Sequence, residues 1–388
     1  MTHTSTAVVS EPDSTRAGTE LGRQLRAGLG GEAADAVIVF ASARHDYPAL
    51  LKALKAESGA KALVGSSSAG EFSSTASGQG QTSALAIRSQ HIRFSVGLGR
   101  NLSADAPAAA REAARGFNGI GTPALPYRSA LVMTDALAGH ADAVVEELTV
   151  ATKGNYRFFG GGAGDDGAFS KTHVFAGTEA VTDAVVALEM LSSRPVGVGV
   201  SHGWVEGSEA MRVTEVHGTR LVSLNGMPAA DVVADYAERL GHAFDRTNPL
   251  PYFLHNILGV RDGEHFRLRV PLAVNEDGSI LLAAEVPPGA IVHIMKTTDQ
   301  SAVLAAQQAT QAALAALQGA TPRAALVFDC VATRLRLGRA FDDELKACAD
   351  LLSPATFIGC NTYGQIARAE GQFGGFHNCT AVVCVLPE

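Results

Sequence analysis

The sequence predicts an α/β protein built from repeated strand–helix–strand–glycine-turn–strand units that form mixed sheets, with an antiparallel meander inserted. Three observations carry this. Apolar runs recur with helix-length amphipathic stretches between them. A glycine-rich segment closes each recurrence. One later region alternates apolar and charged residues instead.

The first unit has a strand at Ala36–Phe40, a helix from Tyr47 to Glu57 and a strand at Lys61–Val64, ending in Gly65-Ser-Ser-Ser-Ala-Gly-Glu71. The second has a strand at Ala130–Thr134, a helix over Ala141–Ala151 and a strand at Tyr156–Phe159, ending in Gly160-Gly-Gly-Ala-Gly-Asp-Asp166. The third has a strand at Ala324–Asp329, a helix over Phe341–Leu352 and a strand at Thr356–Ile358, ending in Gly359-Cys-Asn-Thr-Tyr-Gly-Gln365. Further apolar strands follow at Ser83–Ile87, Ala184–Leu188 and Thr380–Leu386. Runs without alternation are those of strands covered on both faces, and Phe341, Leu345, Cys348 and Leu352 mark one helical stripe. Between the second and third units, Phe266–Val270 alternates, Asn275–Gly278 and Pro287–Gly289 are turn signals, and Ser279–Val286 and Ala290–Met295 return as strands. A helix then starts at Asp299 and closes near Gly319. Residues 1–30 are polar and small, and are expected to be a flexible lead-in before two domains at 31–225 and 226–388.

Composition narrows the function. Charged residues make up 18% of the 388, the formal net charge is −8, and the isoelectric point is about 5.8. With no basic stripe, nucleic acid is excluded as the expected partner. No apolar stretch approaches the ~20 residues that cross a bilayer and no signal peptide opens the chain, so a cytoplasmic location without membrane insertion is expected. The five cysteines all lie at or beyond Cys330 and include no CxxC pair. A disulfide framework and a thiolate zinc site are therefore not expected. The twelve histidines include no HxH or HxxxH, so no protein-held metal is expected.

Glycine turns at strand ends are where α/β proteins bind ligands, because backbone N–H groups converge there. If the three turns cluster, they assemble Ser66, Ser67, Gly70, Glu71, Gly161, Gly162, Asp165, Asp166, Cys360, Asn361, Tyr363 and Gln365. Acidic and amide groups suit a ligand amine, and hydroxyls with free N–H groups suit a carboxylate. The plainer account makes the glycines local turn formers and the polar residues backbone caps. His202 and Trp204, after the strand Val196–Ser201, and His377 and Asn378, before the last strand, are further pocket candidates. Against them stands ordinary strand-end hydrogen bonding. His255 and Asn256 are weaker candidates of the same kind. Cys330, with Arg334, Arg336 and Arg339 after it and His377 as base, forms an alternative nucleophile pair. A buried thiol packing as a small apolar group is its plainer account. The arginines suit an anion, a haem propionate or the acidic face of a partner.

Seven segments in order resemble the FIST family: Val64–Glu71, Phe159–Asp165, Val198–Trp204, Leu224–Ala229, Phe328–Cys330, Gly359–Gly364 and Phe376–Thr380. They span nearly all of the chain after residue 30, with FIST-N and FIST-C parts joined near Asn225. The resemblance implies a bacterial intracellular sensory role in which a small ligand, an amino acid or similar metabolite, is bound without being consumed. It also implies a signalling partner such as a histidine kinase in a two-component system. One branch, the NosP proteins, senses nitric oxide through haem b; the alternative axial ligand here is His202, with His255 and His377 behind it. Two positions depart from that branch: Ser201 and Gly203 flank His202, and Gln365 stands where glutamate is usual.

Overall fold

The computed structural model describes residues 1–120, 125–369 and 374–388. Three six-stranded sheets make one body, and each has the same plan. The first contains, in spatial order, Thr2–Val9, Thr82–Ser89, Ala36–Ser42, Ala62–Ser68, Val174–Ala176 and Glu179–Val181. The second contains Ile92–Arg100, Ala184–Ser192, Tyr127–Thr134, Arg157–Gly162, Gln365–Arg368 and Gly375–His377. The third contains Gly197–Ser201, Ala381–Pro387, Pro322–Cys330, Thr356–Thr362, Glu71–Ser73 and Ser77–Gly78. In each, the third and fourth strands run parallel and their neighbours antiparallel.

The last two strands of every sheet come from another unit. The hairpin after Gly70 joins the third sheet, with Phe72 opposite Gly359. The hairpin after Gly364 joins the second, with Ile366 opposite Gly160. The hairpin at 174–181 joins the first, with Phe175 opposite Gly65. This cyclic exchange locks three copies of one motif around a common axis. The repeat read from sequence is therefore real, and each copy is longer than expected. It begins one strand and one helix earlier: Thr2–Val9 with Ser14–Gly28, Ile92–Arg100 with Ala106–Ala114, and Gly197–Ser201 with Asp299–Ala315.

Residues 1–30 are thus corrected from a flexible lead-in to the opening of the first copy. Thr2–Val9 pairs along its length with Thr82–Ser89. The helix Ser14–Gly28 is capped by Asp13 and buries Ala17, Leu21 and Leu25, one stripe at four-residue spacing.

The glycine segments are a second correction. Gly65–Ser68, Gly160–Gly162 and Gly359–Thr362 are strand, so Ser66, Ser67, Gly161, Gly162, Cys360 and Asn361 lie on strands and not in turns. Gly65, Gly160 and Gly359 face Val39, Val132 and Val327 of their parallel neighbours. A Cβ on them would lie 1.7, 2.1 and 2.0 Å from those valine carbonyl oxygens. Glycine is required by close approach, at one equivalent position in each copy.

The inner faces of all three sheets share one apolar core, where Phe40 meets Phe328 edge-on at 5.5 Å and Phe159 lies 6.5 Å from Phe328. Helices cover the outer faces in three separate clusters. The expected meander is part of a nine-stranded antiparallel sheet spanning 205–296, inserted in the third copy between its first strand and first helix. That helix is capped by Thr298 in a capping box with Ser301, where Asp299 was expected. The junction near Asn225 falls inside this inserted sheet, in the turn between Arg220–Leu224 and Met227–Pro228. Among the described residues, no helix is long and apolar enough to cross a membrane.

Candidate functional site

The three copies converge at the carboxyl ends of their parallel strands. Asp166 N–H donates to Ser68 O at 3.0 Å, joining the second copy to the first. Ala69 N–H donates to Asn361 O at 2.9 Å, and Asn361 N–H to Gly70 O at 2.8 Å, joining the first to the third. Gly162 N–H donates to Gly364 O at 2.8 Å, and Tyr363 N–H to Gly162 O at 3.0 Å, closing the ring. The turns therefore meet, as expected, but these backbone groups bind one another. The N–H groups in this ring are not free for a ligand carboxylate, which corrects that part of the reading. Polar side chains lie beside the ring.

Those side chains gather where the first copy meets the other two. Glu71 is fully buried; it accepts from Ser68 Oγ at 2.5 Å and from Gln81 N–H at 2.9 Å. Burial raises its carboxyl to about 7, against the pull of those hydrogen bonds and of Arg334. Asp166, held at φ +56°, accepts from Ser42 Oγ at 2.7 Å and Ala43 N–H at 2.8 Å through Oδ2. Its Oδ1 is buried without a partner among the described residues. Arg334 Nη1 donates to Gly78 O at 2.8 Å and to Asn361 Oδ1 at 3.0 Å. Asn361 is fully buried and its Nδ2 has no partner among the described residues. Burial lowers the Arg334 guanidinium, while Glu71, Asp342 and Asp166 favour its charge. Around this pair lie Tyr47, Ser67 and His173. Ser67 Oγ accepts from His173 N–H at 2.9 Å, and the Tyr47 and His173 rings sit 5.0 Å apart. Burial raises the Tyr47 hydroxyl and lowers both His45 and His173. Gly70 abuts the arginine: a Cβ there would lie 1.8 Å from Arg334 Nη1.

The remaining candidates divide. Asp165 clamps its own loop, accepting from the N–H groups of Phe169, Ser170 and Lys171 and from the Tyr363 hydroxyl. Its carboxyl is held below its usual value by Tyr363 and those N–H groups, against burial. Gly161 and Gly162 pack on the Gly364 turn, and Gln365 bridges Thr362 Oγ1 and Thr380 N–H. Ser66 and Cys360 are buried within their sheets, Cys360 in the central core. Structural contacts account for Asp165, Gly161, Gly162 and Gln365, whereas the buried Ser66 Oγ has no partner among the described residues.

His202, Trp204, His377 and Asn378 lie elsewhere, beneath the inserted sheet. Asn378 Oδ1 accepts from Val270 N–H at 3.2 Å and docks that sheet. His377 is fully buried, and burial with the nearby Arg269 and His202 holds its imidazole well below the usual range. His202 Nδ1 accepts from Trp204 N–H at 3.3 Å, a second hydrogen bond joins His202 to the Phe266 backbone, and burial lowers the ring to about 4. The space beside it is about 10 Å³, shared with the buried acids Asp329 and Glu344, room for about one water. That geometry does not fit His202 as the axial ligand of a haem macrocycle. Arg336 lies over the Trp204 ring at 5.9 Å and donates to Asp299 at 2.8 Å. The Cys330 thiol is hydrogen-bonded to Cys379, the first influence on it, whereas a His377 base was the alternative expectation.

Sequence reasoning did not include Tyr47, His45, Ser42 or His173. No local motif marks them; the fold alone brings them to Glu71 and Asp166.

The architecture defines a threefold-repeated α/β body with an inserted sheet and a buried polar nest of opposite charges. The chain belongs to the FIST family: the FIST N domain matches residues 35–227 and the FIST C domain residues 229–368. FIST domains are small-ligand-binding sensory domains of signalling proteins. No curated protein sequence matches the chain. Among solved structures, phosphoribosylformylglycinamidine synthase II from Thermotoga maritima aligns at 12% identity and a TM-score of 0.21, covering 99% of this chain and 72% of that one. T. maritima PurL complexed with FGAR aligns at 11% identity and 0.20, covering 99% and 73%. Both likenesses are too distant to inform fold or function.

Proposed function

We propose that this protein senses a small zwitterionic metabolite of the amino-acid class, bound between Asp166 and Glu71 on one side and Arg334 and Asn361 on the other. One observation carries the reading. Asp166 and Asn361 each anchor one polar atom and present the other, buried and unpartnered, beside Glu71 and Arg334. A buried polar group without a partner is destabilising by roughly 1–3 kcal/mol, so a ligand meeting several at once is strongly favoured. Asp166 Oδ1 is the acceptor for an ammonium, with the Glu71 carboxyl beside it. Arg334 and Asn361 Nδ2 are donors for a carboxylate. Tyr47 and His45 lie close to Asp166, and His173 binds Ser67 beside them.

FIST membership supports the sensory role. The test is thermal-shift screening of purified protein against the amino acids and related small polar metabolites, with Asp166→Asn and Arg334→Met beside it. Binding raises the melting temperature by mass action, without consumption of the compound. Both variants lose the shift and keep their circular-dichroism spectrum. A chain that folds yet answers none of these compounds removes the proposal.

A further inference from the structure

Cys330 ends the strand Pro322–Cys330, and Cys379 stands two residues before the strand Ala381–Pro387. The two strands pair antiparallel with Phe328 opposite Val382. Carrying that register two residues on sets Cys330 opposite Thr380, next to Cys379. In an extended chain the Cys379 side chain would leave on the face away from Thr380. Instead Cys379 has φ +51°, a left-handed conformation uncommon for a residue with a Cβ, and its thiol meets that of Cys330. Both cysteines belong to one apolar cluster with Trp204, Ile257 and Met295. The others lie apart, Cys360 and Cys384 in the central core and Cys348 under the outer helices.

Cys330 also lines a cavity of about 390 Å³ between the three-sheet body and the inserted sheet. Its wall is apolar and includes Leu137, Phe169, Leu250 and Leu335, all exposed, so the cavity opens to solvent. A small apolar molecule that enters it meets Cys330 among the lining residues.

We propose that Cys330 and Cys379 form a redox-active dithiol whose oxidant is a small organic hydroperoxide with an apolar substituent, admitted through this cavity. The Cys330 thiolate attacks the outer peroxide oxygen, the O–O bond breaks, and the alcohol leaves with a proton. This gives Cys330 sulfenic acid. The Cys379 sulfur then attacks the Cys330 sulfur, an S–S bond forms, the S–O bond breaks and water leaves. Two thiols and one hydroperoxide become a disulfide, an alcohol and water. The hydrogen bond from Cys379 lowers the Cys330 thiol against burial, and the same bond raises Cys379, which suits Cys330 to attack and Cys379 to resolve. This site uses none of Glu71, Asp166 or Arg334, so it stands or falls apart from the zwitterion site.

The experiment treats fully reduced, folded protein with one equivalent of cumene hydroperoxide or of hydrogen peroxide. Free thiols are counted after denaturation, and tryptic peptides are mapped by mass spectrometry. Free thiols fall from five to three, in one cross-linked pair of peptides carrying Cys330 and Cys379. Cumene hydroperoxide reacts about tenfold faster than hydrogen peroxide, since its ring is buried on entry. In Cys379→Ser, dimedone traps a sulfenate at Cys330. Five thiols surviving in the folded protein, or a bond between other cysteines, overturns the dithiol. Equal rates for the two peroxides overturn the apolar-hydroperoxide assignment.

Discussion

Arg269 Nη2 lies 2.7 Å from Asp142 Oδ2, with the guanidinium side chain only 1% exposed. The pair fastens the inserted sheet to the helix Ala141–Ala151 of the second copy. The same guanidinium donates to the carbonyls of Phe376 at 2.9 Å and Glu285 at 2.8 Å. Burial lowers it and Asp142 offsets that.

Removing the carboxylate leaves a charge buried in this joint. Asp142→Ala is therefore expected to destabilise by about 3 kcal/mol, read from urea unfolding. The double variant Asp142→Leu with Arg269→Met should recover most of that loss, because no unpaired charge remains. A double variant as unstable as the single would mean that packing, and not charge, decides the joint.

The glycines at 65, 160 and 359 give a prediction about symmetry. Each would place a Cβ within about 2 Å of a neighbouring carbonyl oxygen, which no rotamer relieves. Gly65→Ala, Gly160→Ala and Gly359→Ala should each destabilise by about 3 kcal/mol or more. By contrast, Gly30→Ala meets nothing within 4 Å and adds only the strain of its positive φ. Thermal melting of the four variants checks this; a benign Gly160→Ala would contradict equivalence of the three positions.

Much of this design can be read from the chain, and the failures have physical reasons. The stripe Phe341, Leu345, Cys348 and Leu352 is buried as its spacing requires. The first copy's opening strand escaped because THTSTAVV is polar, and its order comes from pairing with residues more than seventy positions away. Its helix carries Leu21 and Leu25, but Gly18 and Gly22 dilute the signal. Those glycines admit the second helix, since a Cβ on Gly18 would lie 2.3 Å from Leu50 O. The segments at Gly65, Gly160 and Gly359 resemble turns locally, whereas the demand for glycine is made by the neighbouring strand. At the site, Glu71, Asp166 and Asn361 are legible because they sit beside the repeated glycines. Tyr47 and His45 are not, because the first copy's topology alone brings them near.

Glu71 gives a pH signature. Burial raises its carboxyl in the folded chain to about 7, from an ordinary value of 4.5. The folded state then holds a proton that the unfolded state has released. Stability from this group is complete below pH 4.5 and lost as pH rises through 7, at a slope approaching 1.4 kcal/mol per pH unit, an order-of-magnitude figure. The histidines lowered by burial and the raised Asp329 contribute their own slopes, so the difference from Glu71→Gln is the measurement. Between pH 5 and 7 the wild type should lose stability relative to that variant. Parallel curves would deny the buried, protonated Glu71.

The contact between Gly70 and Arg334 gives the sharpest test of the zwitterion site. Any side chain at 70 occupies the place of the guanidinium, 1.8 Å from Nη1, and Gly70 itself has φ +144°. In Gly70→Ala the arginine must turn away from Asn361 and from the bound carboxylate. Loss of one charge-assisted hydrogen bond weakens affinity by roughly tenfold to a hundredfold. Titration calorimetry with the metabolite found by thermal shift should show this loss, together with a weaker dependence on salt. Arg334→Met should lower affinity at least as much, and adding Gly70→Ala to it should have little further effect, since the clash partner is gone. Additive losses in the double variant would place the role of Gly70 in the backbone, and not in its contact with Arg334.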